Sequence, residues 1–264
     1  MTKIAQTKTV VFITGAWMHT SSWDKFRSAF EAAGYTTHAP AWPYLEGKPE
    51  DLRANPDKRL GKLTFSQIVD AYAKFIDALP EQPILIGHSM GGLITQLLLD
   101  RGYGVAGIAM DPGPTAGAFP GLISLLAALP PVLSGPSTPY LISRAGFAKS
   151  FANLLSAEEQ KAAYDAYVVP TSSRIFYQAA GMIGTGVKVK NRKQPLLVLS
   201  AEHDRTVSPF LARQVFNIQK KAPSRTDFHE FEDRDHFLAG ERGWEDVAKY
   251  TLDWLAEATP AGKA

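Results

Sequence analysis

Apolar positions along this chain follow two rhythms. Short runs rich in β-branched residues are separated by longer stretches in which apolar residues recur every three or four positions. Residues 9–14 (TVVFIT) form the first short run and end at Gly15, which predicts a strand buried on both faces. Residues 23–33 have helical spacing and stop at Gly34. A second short strand is predicted over residues 35–39. Residues 40–61, rich in Pro, Gly and charge, predict an excursion loop. From 64 to 79, Phe65, Ile68, Val69, Tyr72, Phe75, Ile76 and Leu79 fall on one stripe, so an amphipathic helix is expected, capped by Thr64.

Strands are further predicted at residues 83–87 (PILIG), 105–110 (VAGIAM), 196–200 (LLVLS) and 226–231 (TDFHEF). Helices are predicted at 93–100, 209–221 and 244–256, and residues 259–264 (TPAGKA) as a frayed tail. The alternation predicts an α/β fold: a mostly parallel sheet of about six strands with helices on both faces and right-handed crossovers. The pattern breaks once, over residues 111–195, where a crossover needs far fewer residues. That stretch holds FPGLISLLAALPPVL, PYLISRAGFAKSFANLL and AEEQKAAYDAYVV, which predict a helical cap inserted over one edge of the sheet. The expected division is a core of residues 1–110 and 195–264, with residues 111–194 as the cap. A cap at the carboxyl ends of the strands covers the place where open α/β sheets bind ligands.

Composition narrows the picture. With 264 residues, 45% hydrophobic and 20% charged, the chain suits a globular domain with a sizeable core rather than disorder. Its 28 basic and 26 acidic residues leave a net charge of +2 with no long basic run, so no nucleic-acid partner is expected. The absence of cysteine excludes a disulfide framework, a thiolate metal site and a catalytic thiol. The apolar run at 10–13 is too short for a signal-peptide core. Residues 122–133 are broken by Ser124, Pro130 and Pro131, and fall short of the roughly 20 apolar residues a membrane span needs. A soluble cytoplasmic protein, monomeric or homodimeric, is expected.

The strongest chemical signal is GHSMGG at residues 87–92, between a predicted strand and a predicted helix. A G-x-S-x-G there predicts a nucleophile elbow. The turn strains the Ser89 backbone, and only small residues such as Gly87 and Gly91 fit two positions to either side. The Met90 N–H, at the helix N-terminus, is free to stabilise an oxyanion. A serine hydroxyl needs a base, and the order for this arrangement is Ser, acid, His. Downstream of Ser89 stand His203, His229 and His236. His229 lies inside a predicted strand, facing a neighbouring side chain, whereas His236 lies in the loop beyond it and is the candidate base. The acid is expected after the LLVLS strand, where Asp204 is preferred to Glu202; Asp111, after the preceding strand, is a second candidate. Gly15 permits a tight turn after the first strand, which places the Ala16 N–H as the other oxyanion donor.

On these residues the chain resembles the α/β-hydrolase fold superfamily, in particular its serine esterases and lipases. Ser89 in GHSMGG matches the family nucleophile, Asp204 in SAEHDRTVSP the acid and His236 in DRDHF the base, with Ala16 and Met90 matching the two oxyanion donors. Thr14 departs from the His that many members carry before the Gly, and the first parallel strand begins near residue 9, leaving no room for preceding antiparallel strands. The resemblance implies acyl transfer to water from a small-molecule apolar ester, with no metal or organic cofactor.

Trp17, Met18, His19 and Trp23 are placed to line an apolar pocket, joined by cap residues such as Phe119, Leu122, Phe147 and Phe151. The basic cluster at 188–193 reads as a solvated connection. His19, Glu202, His203 and Asp204 lack a recognised ligand spacing, so no metal is expected. Two other functions keep the same residues: a different cofactor-free reaction (C–C hydrolysis, perhydrolysis or lyase chemistry) and a non-catalytic ligand receptor on this fold.

Overall fold

The computed structural model describes residues 7–258; the expected frayed tail at 259–264 lies outside the described residues. Strands β1 (Thr9–Ile13), β2 (Thr36–His38), β3 (Ile84–His88) and β4 (Ala106–Met110) are followed by a short pair, β5 (Pro139–Tyr140) and β6 (Thr171–Ser172), then by β7 (Leu196–Ala201) and β8 (Thr226–Phe231). Six of them form one parallel sheet in the order β2-β1-β3-β4-β7-β8, while β5 and β6 pair antiparallel apart from it. The fold is α/β, with helices on both faces of that sheet.

The continuous apolar strands are explained by where alternate side chains go. In β1, Val11 and Ile13 enter a cluster with Ile68 and Leu93. Val10 and Phe12 enter the opposite cluster with Phe26, Phe30, Val247 and Trp254. Helices α1 (Asp24–Ala32), α2 (Pro49–Ala54), α3 (Phe65–Asp77) and α4 (Met90–Asp100) lie in the first half of the chain. Helix α3 begins as its stripe predicts. The Gln67 N–H donates to Thr64 Oγ1 (3.3 Å) and the Thr64 N–H to Gln67 Oε1 (2.9 Å), a reciprocal cap.

Residues 40–61 are more ordered than an excursion loop. Pro49 opens α2 at its first turn, with Glu50 and Asp51 beside the helix N-terminus. Six residues are too few to show a helical period, so the pattern alone misses it. From α2, the Arg53 guanidinium donates to the carbonyls of Val168 (2.7 Å) and Asp165 (3.0 Å).

Between β4 and β7 the chain forms α5 (Gly121–Leu133), α6 (Arg144–Gly146), a π turn (Phe147–Phe151), α7 (Ala157–Tyr167) and α8 (Arg174–Ala180). Helices α9 (Pro209–Gln219) and α10 (Trp244–Ala258) complete the chain. Helix α5 leaves large apolar side chains in solvent, with Leu122 75% and Leu133 76% exposed. Among the described residues no helix is long and apolar enough to cross a membrane.

The basic cluster at 188–193 is not solvated throughout. Arg192 is 2% exposed and closes the carboxyl end of α9. Its guanidinium donates to the Gln219 carbonyl (3.0 Å), Gln219 Oε1 (3.1 Å) and Ser224 Oγ (2.9 Å). Burial pushes its pKa down to about 10, which still leaves it charged at neutral pH. The helix-end carbonyls are what such a cation satisfies. Arg192→Ala is expected to lower unfolding stability by about 2–4 kcal/mol, because several buried acceptors lose their donor together. Denaturant titration checks this; a change under about 0.5 kcal/mol is the surface-residue result and contradicts it.

Candidate active site

Strands β1 and β3 are neighbours in space, yet the chain passes through β2 between them, so the order in which strands are added to the sheet reverses there. Ligands of open α/β sheets bind at the carboxyl ends beside such a reversal. Ser89 stands there, between the end of β3 and the start of α4. Its backbone has φ 57° and ψ −123°, outside the common regions for an L-residue. The surrounding packing enforces it. A Cβ on Gly87 would stand 2.1 Å from the Gly91 carbonyl oxygen, and one on Gly91 2.1 Å from that of Ile13. Ser89 N–H donates to Met110 O (2.8 Å), and Ser89 O accepts from Gly92 (2.9 Å) and Gly113 (2.9 Å), so both backbone groups are tied.

His236 and Asp204 meet in the core. His236 Nδ1 and Asp204 Oδ2 are 2.5 Å apart, with both side chains fully buried. Asp204 Oδ1 accepts from the amides of Thr206 (2.6 Å) and Val207 (2.7 Å). Burial pushes Asp204 above the ordinary carboxylate range, and these two amides pull it back. Burial holds the His236 imidazole neutral, its pKa pushed down to about 3. Its Nε2 has no hydrogen-bond partner among the described residues. The His88 ring lies 4.5 Å from the His236 ring, and Ser89 follows His88 in the chain.

The remaining sequence candidates have definite places. The turn carrying Ala16 touches the elbow, since a Cβ on Gly15 would stand 2.6 Å from Ser89 Cβ. Met90 is the first residue of α4, where amides lack intrahelical acceptors. Trp17, at φ 66°, stacks on Phe176 with ring centroids 5.1 Å apart and lines a cavity of about 420 Å³. Met18 is buried and forms a β-bridge with Val168. Both ring nitrogens of His19 are engaged: Nε2 donates to Gly47 O (3.0 Å) and Nδ1 accepts from Ser21 Oγ (2.8 Å). Trp23 packs among Phe12 and Phe26, Phe147 among Phe151 and Tyr164. Phe119 and Leu122 are exposed. His229 stacks on Tyr250 (4.1 Å) and His203 is exposed beside Glu202 and Asp233.

Asp111 is fully buried behind this site. Its Oδ1 accepts from the Ala201 amide (2.9 Å), while its Oδ2 is unpartnered among the described residues. Burial, reinforced by the Asp204 charge, pushes it well above the carboxylate range. Two groups converge closely enough to share a cation: His88, Asp111 and His236, and the exposed Glu202, His203 and Asp233. In the first, His88 Nε2 donates to the His236 carbonyl (2.7 Å) and His236 Nδ1 faces Asp204, which leaves His236 Nε2 uncommitted. Glu202 and His203 thus meet Asp233 rather than His19 and Asp204.

Three further residues act over separations that the sequence does not show. His88, neutral because burial pushes its pKa down, anchors the backbone of His236. Phe151 lays its ring perpendicular to His236 at 4.6 Å. Asp235 accepts from Phe237 N (2.9 Å) and from Leu154 N (2.8 Å), joining the His236 loop to the inserted helices. Its own amide donates to Glu241 Oε1 (3.2 Å). The adjacency of an acid to His236 was readable; its partner 81 residues away was not.

With that geometry in place, relatives can be compared. A family model described as "Alpha/beta hydrolase family" matches residues 10–250. Among curated proteins none matches this sequence. A monoacylglycerol lipase from Paleococcus ferrophilus superposes with TM-score 0.70 at 21% identity, covering 95% of this chain and 94% of that one. A pyrethroid hydrolase from Sphingobium faniae JZ-2 gives 0.66 at 18% identity, covering 95% and 97%. A methylesterase from Arabidopsis gives 0.65 at 15% identity, covering 94% and 99%.

Glu241 supplies a pH test of the loop. Burial, then the Asp235 charge, raises its pKa from 4.5 to about 9. The folded protein keeps this proton where the unfolded chain releases it, so stability falls as pH rises from 4.5 to about 9. Glu241→Gln is expected to flatten that decline, measured by denaturant unfolding at acidic, neutral and alkaline pH. An unchanged slope in the variant contradicts the assignment.

Proposed function

Because the chain belongs to the alpha/beta hydrolase family, we propose that it is a serine hydrolase that cleaves carboxylic esters of small to medium apolar substrates. Ser89 Oγ attacks the ester carbonyl while His236 Nε2 takes its proton. Asp204 fixes the imidazole tautomer through Nδ1 and stabilises the imidazolium that forms. The oxyanion rests on the amides of Ala16 and Met90, each such donor being worth roughly 10²–10³ in rate. His236 then protonates the leaving alcohol, and the C–O bond to it breaks. Water, deprotonated by His236, attacks the acyl group on Ser89 and releases the acid. Every step is carried by these side chains and amides, and calls on no cofactor.

The supporting observation is the 2.5 Å contact between His236 and Asp204, which leaves His236 Nε2 free of other partners, together with the strained backbone of Ser89. A base must arrive neutral and with a free lone pair, which is the state burial favours here. Ser89 is 4% exposed and His236 fully buried beneath Phe151, so the reactive atoms lie below the surface. Motion of the inserted helices would widen access to them, the behaviour of a lid. We assign residues 111–194 that role and the flanking segments the role of the core.

Turnover across esters of graded acyl length tests the reading. Ser89→Ala, His236→Ala and Asp204→Asn are each expected to lower kcat/KM by roughly 10³-fold or more with the fold retained by circular dichroism. A nearly silent Asp204→Asn beside a damaging Asp111→Asn contradicts the acid assignment. Full activity in Ser89→Ala contradicts the mechanism.

A further inference from the structure

We propose that the cavity beside Trp17 receives the apolar body of an amphiphilic ester whose negatively charged group is held at the rim by Lys149 and Arg205. The inference rests on the ester-hydrolase reading and adds the substrate's charge to it.

The cavity measures about 420 Å³, within the range of small-ligand sites, and Trp17, Leu126, Pro130 and Ile142 supply apolar walls. Three of its lining residues each adjoin a residue of the site in sequence. Trp17 follows Ala16, Arg205 follows Asp204, and Ser150 precedes Phe151, whose ring covers His236. The cavity is thus walled by the same segments that carry Ala16, Asp204 and Phe151.

Lys149 and Arg205 are the charged residues of the lining, and no carboxylate accompanies them. They come from distant parts of the chain and are drawn together by a hydrogen bond between their neighbours: Thr206 Oγ1 donates to the Ser150 carbonyl (2.8 Å). Among the described residues neither cation forms an ion pair, whereas Arg144, Arg213, Arg234 and Arg242 each pair with a carboxylate. The nearest carboxylate in sequence to Arg205, Asp204, is buried and committed to His236 and two amides. The facing wall comes from residues 112–143, which contain no charged side chain. Two uncompensated cations over a low-dielectric wall focus a positive field on the mouth of an apolar slot. The ligand that satisfies both features has an alkyl or aryl body and an anionic end, a carboxylate, sulfate or phosphate.

Calorimetric titration of the Ser89→Ala variant with hexyl sulfate and with 1-hexanol tests this without needing turnover and without fixing which end of the ester enters. Hexyl sulfate is expected to bind about tenfold more tightly, a few-fold for each exposed cation. That advantage is expected to vanish when Lys149→Gln and Arg205→Gln are added, and to shrink in 0.5 M salt. Equal affinity for the two probes, or a preference that survives loss of both cations, overturns the proposal. Failure of ester turnover in the wild type overturns the hydrolase reading instead, and the two outcomes are separable.

Discussion

A serine backbone held at φ 57° and ψ −123° is the constraint from which the site is built. Such a conformation costs of order 1–3 kcal/mol and persists only where packing over-determines it. Here α4 presses so closely on the end of β3 at Gly87, and its first turn on the end of β1 at Gly91, that no side chain fits at either glycine. The sharp turn that results does two things at once. It lifts Ser89 out of the strand, and it places the Met90 amide at a helix N-terminus beside it, where donors have no internal acceptor. The sheet then brings everything else to the same edge. Loops leaving β1, β7 and β8 at their carboxyl ends carry Ala16, Asp204 and His236.

The inserted helices close this edge by ordinary packing rather than by chemistry. Trp17, Phe151 and Phe176 are buried aromatics, and a fully buried side chain of that size contributes about 1.5–3 kcal/mol. The π turn at Phe147–Phe151 aims Phe151 at His236, an instance of π geometry occurring next to reactive groups. A backbone zipper continues the closure: His19 N–H donates to Tyr167 O (2.8 Å) and Val169 N–H to Trp17 O (2.8 Å). The turn that follows Ala16 and the end of α7 are thus tied together by backbone hydrogen bonds. Burial beneath these aromatics keeps the His236 imidazole neutral.

The strands and the elbow were legible because both are local. Short apolar runs mark β1, β3, β4 and β7, and the spacing of Gly87, Ser89 and Gly91 shows within five residues, although the wall that excludes a Cβ at Gly91 is the distant carbonyl of Ile13. What the sequence hid acts over long separations. His88 reads as a variable elbow position, yet it bonds a carbonyl 148 residues away. Arg192 reads as one member of a basic run, yet its stem and guanidinium are buried against Gln219, Ser224 and the end of α9. Helix α2 was hidden for the opposite reason: it is too short to carry a period, and its start is set by Pro49. His19 looked like a pocket residue by proximity to Trp17, but its ring is spent on Ser21 and Gly47.

The central claim is that Ser89 is made nucleophilic by His236. Its most direct measurement is covalent trapping with a fluorophosphonate followed by mass spectrometry of the digested protein. The account predicts one adduct, on the peptide carrying Ser89, formed rapidly in the wild type and abolished in His236→Ala. An adduct on another residue, or equal labelling with and without the imidazole, contradicts it.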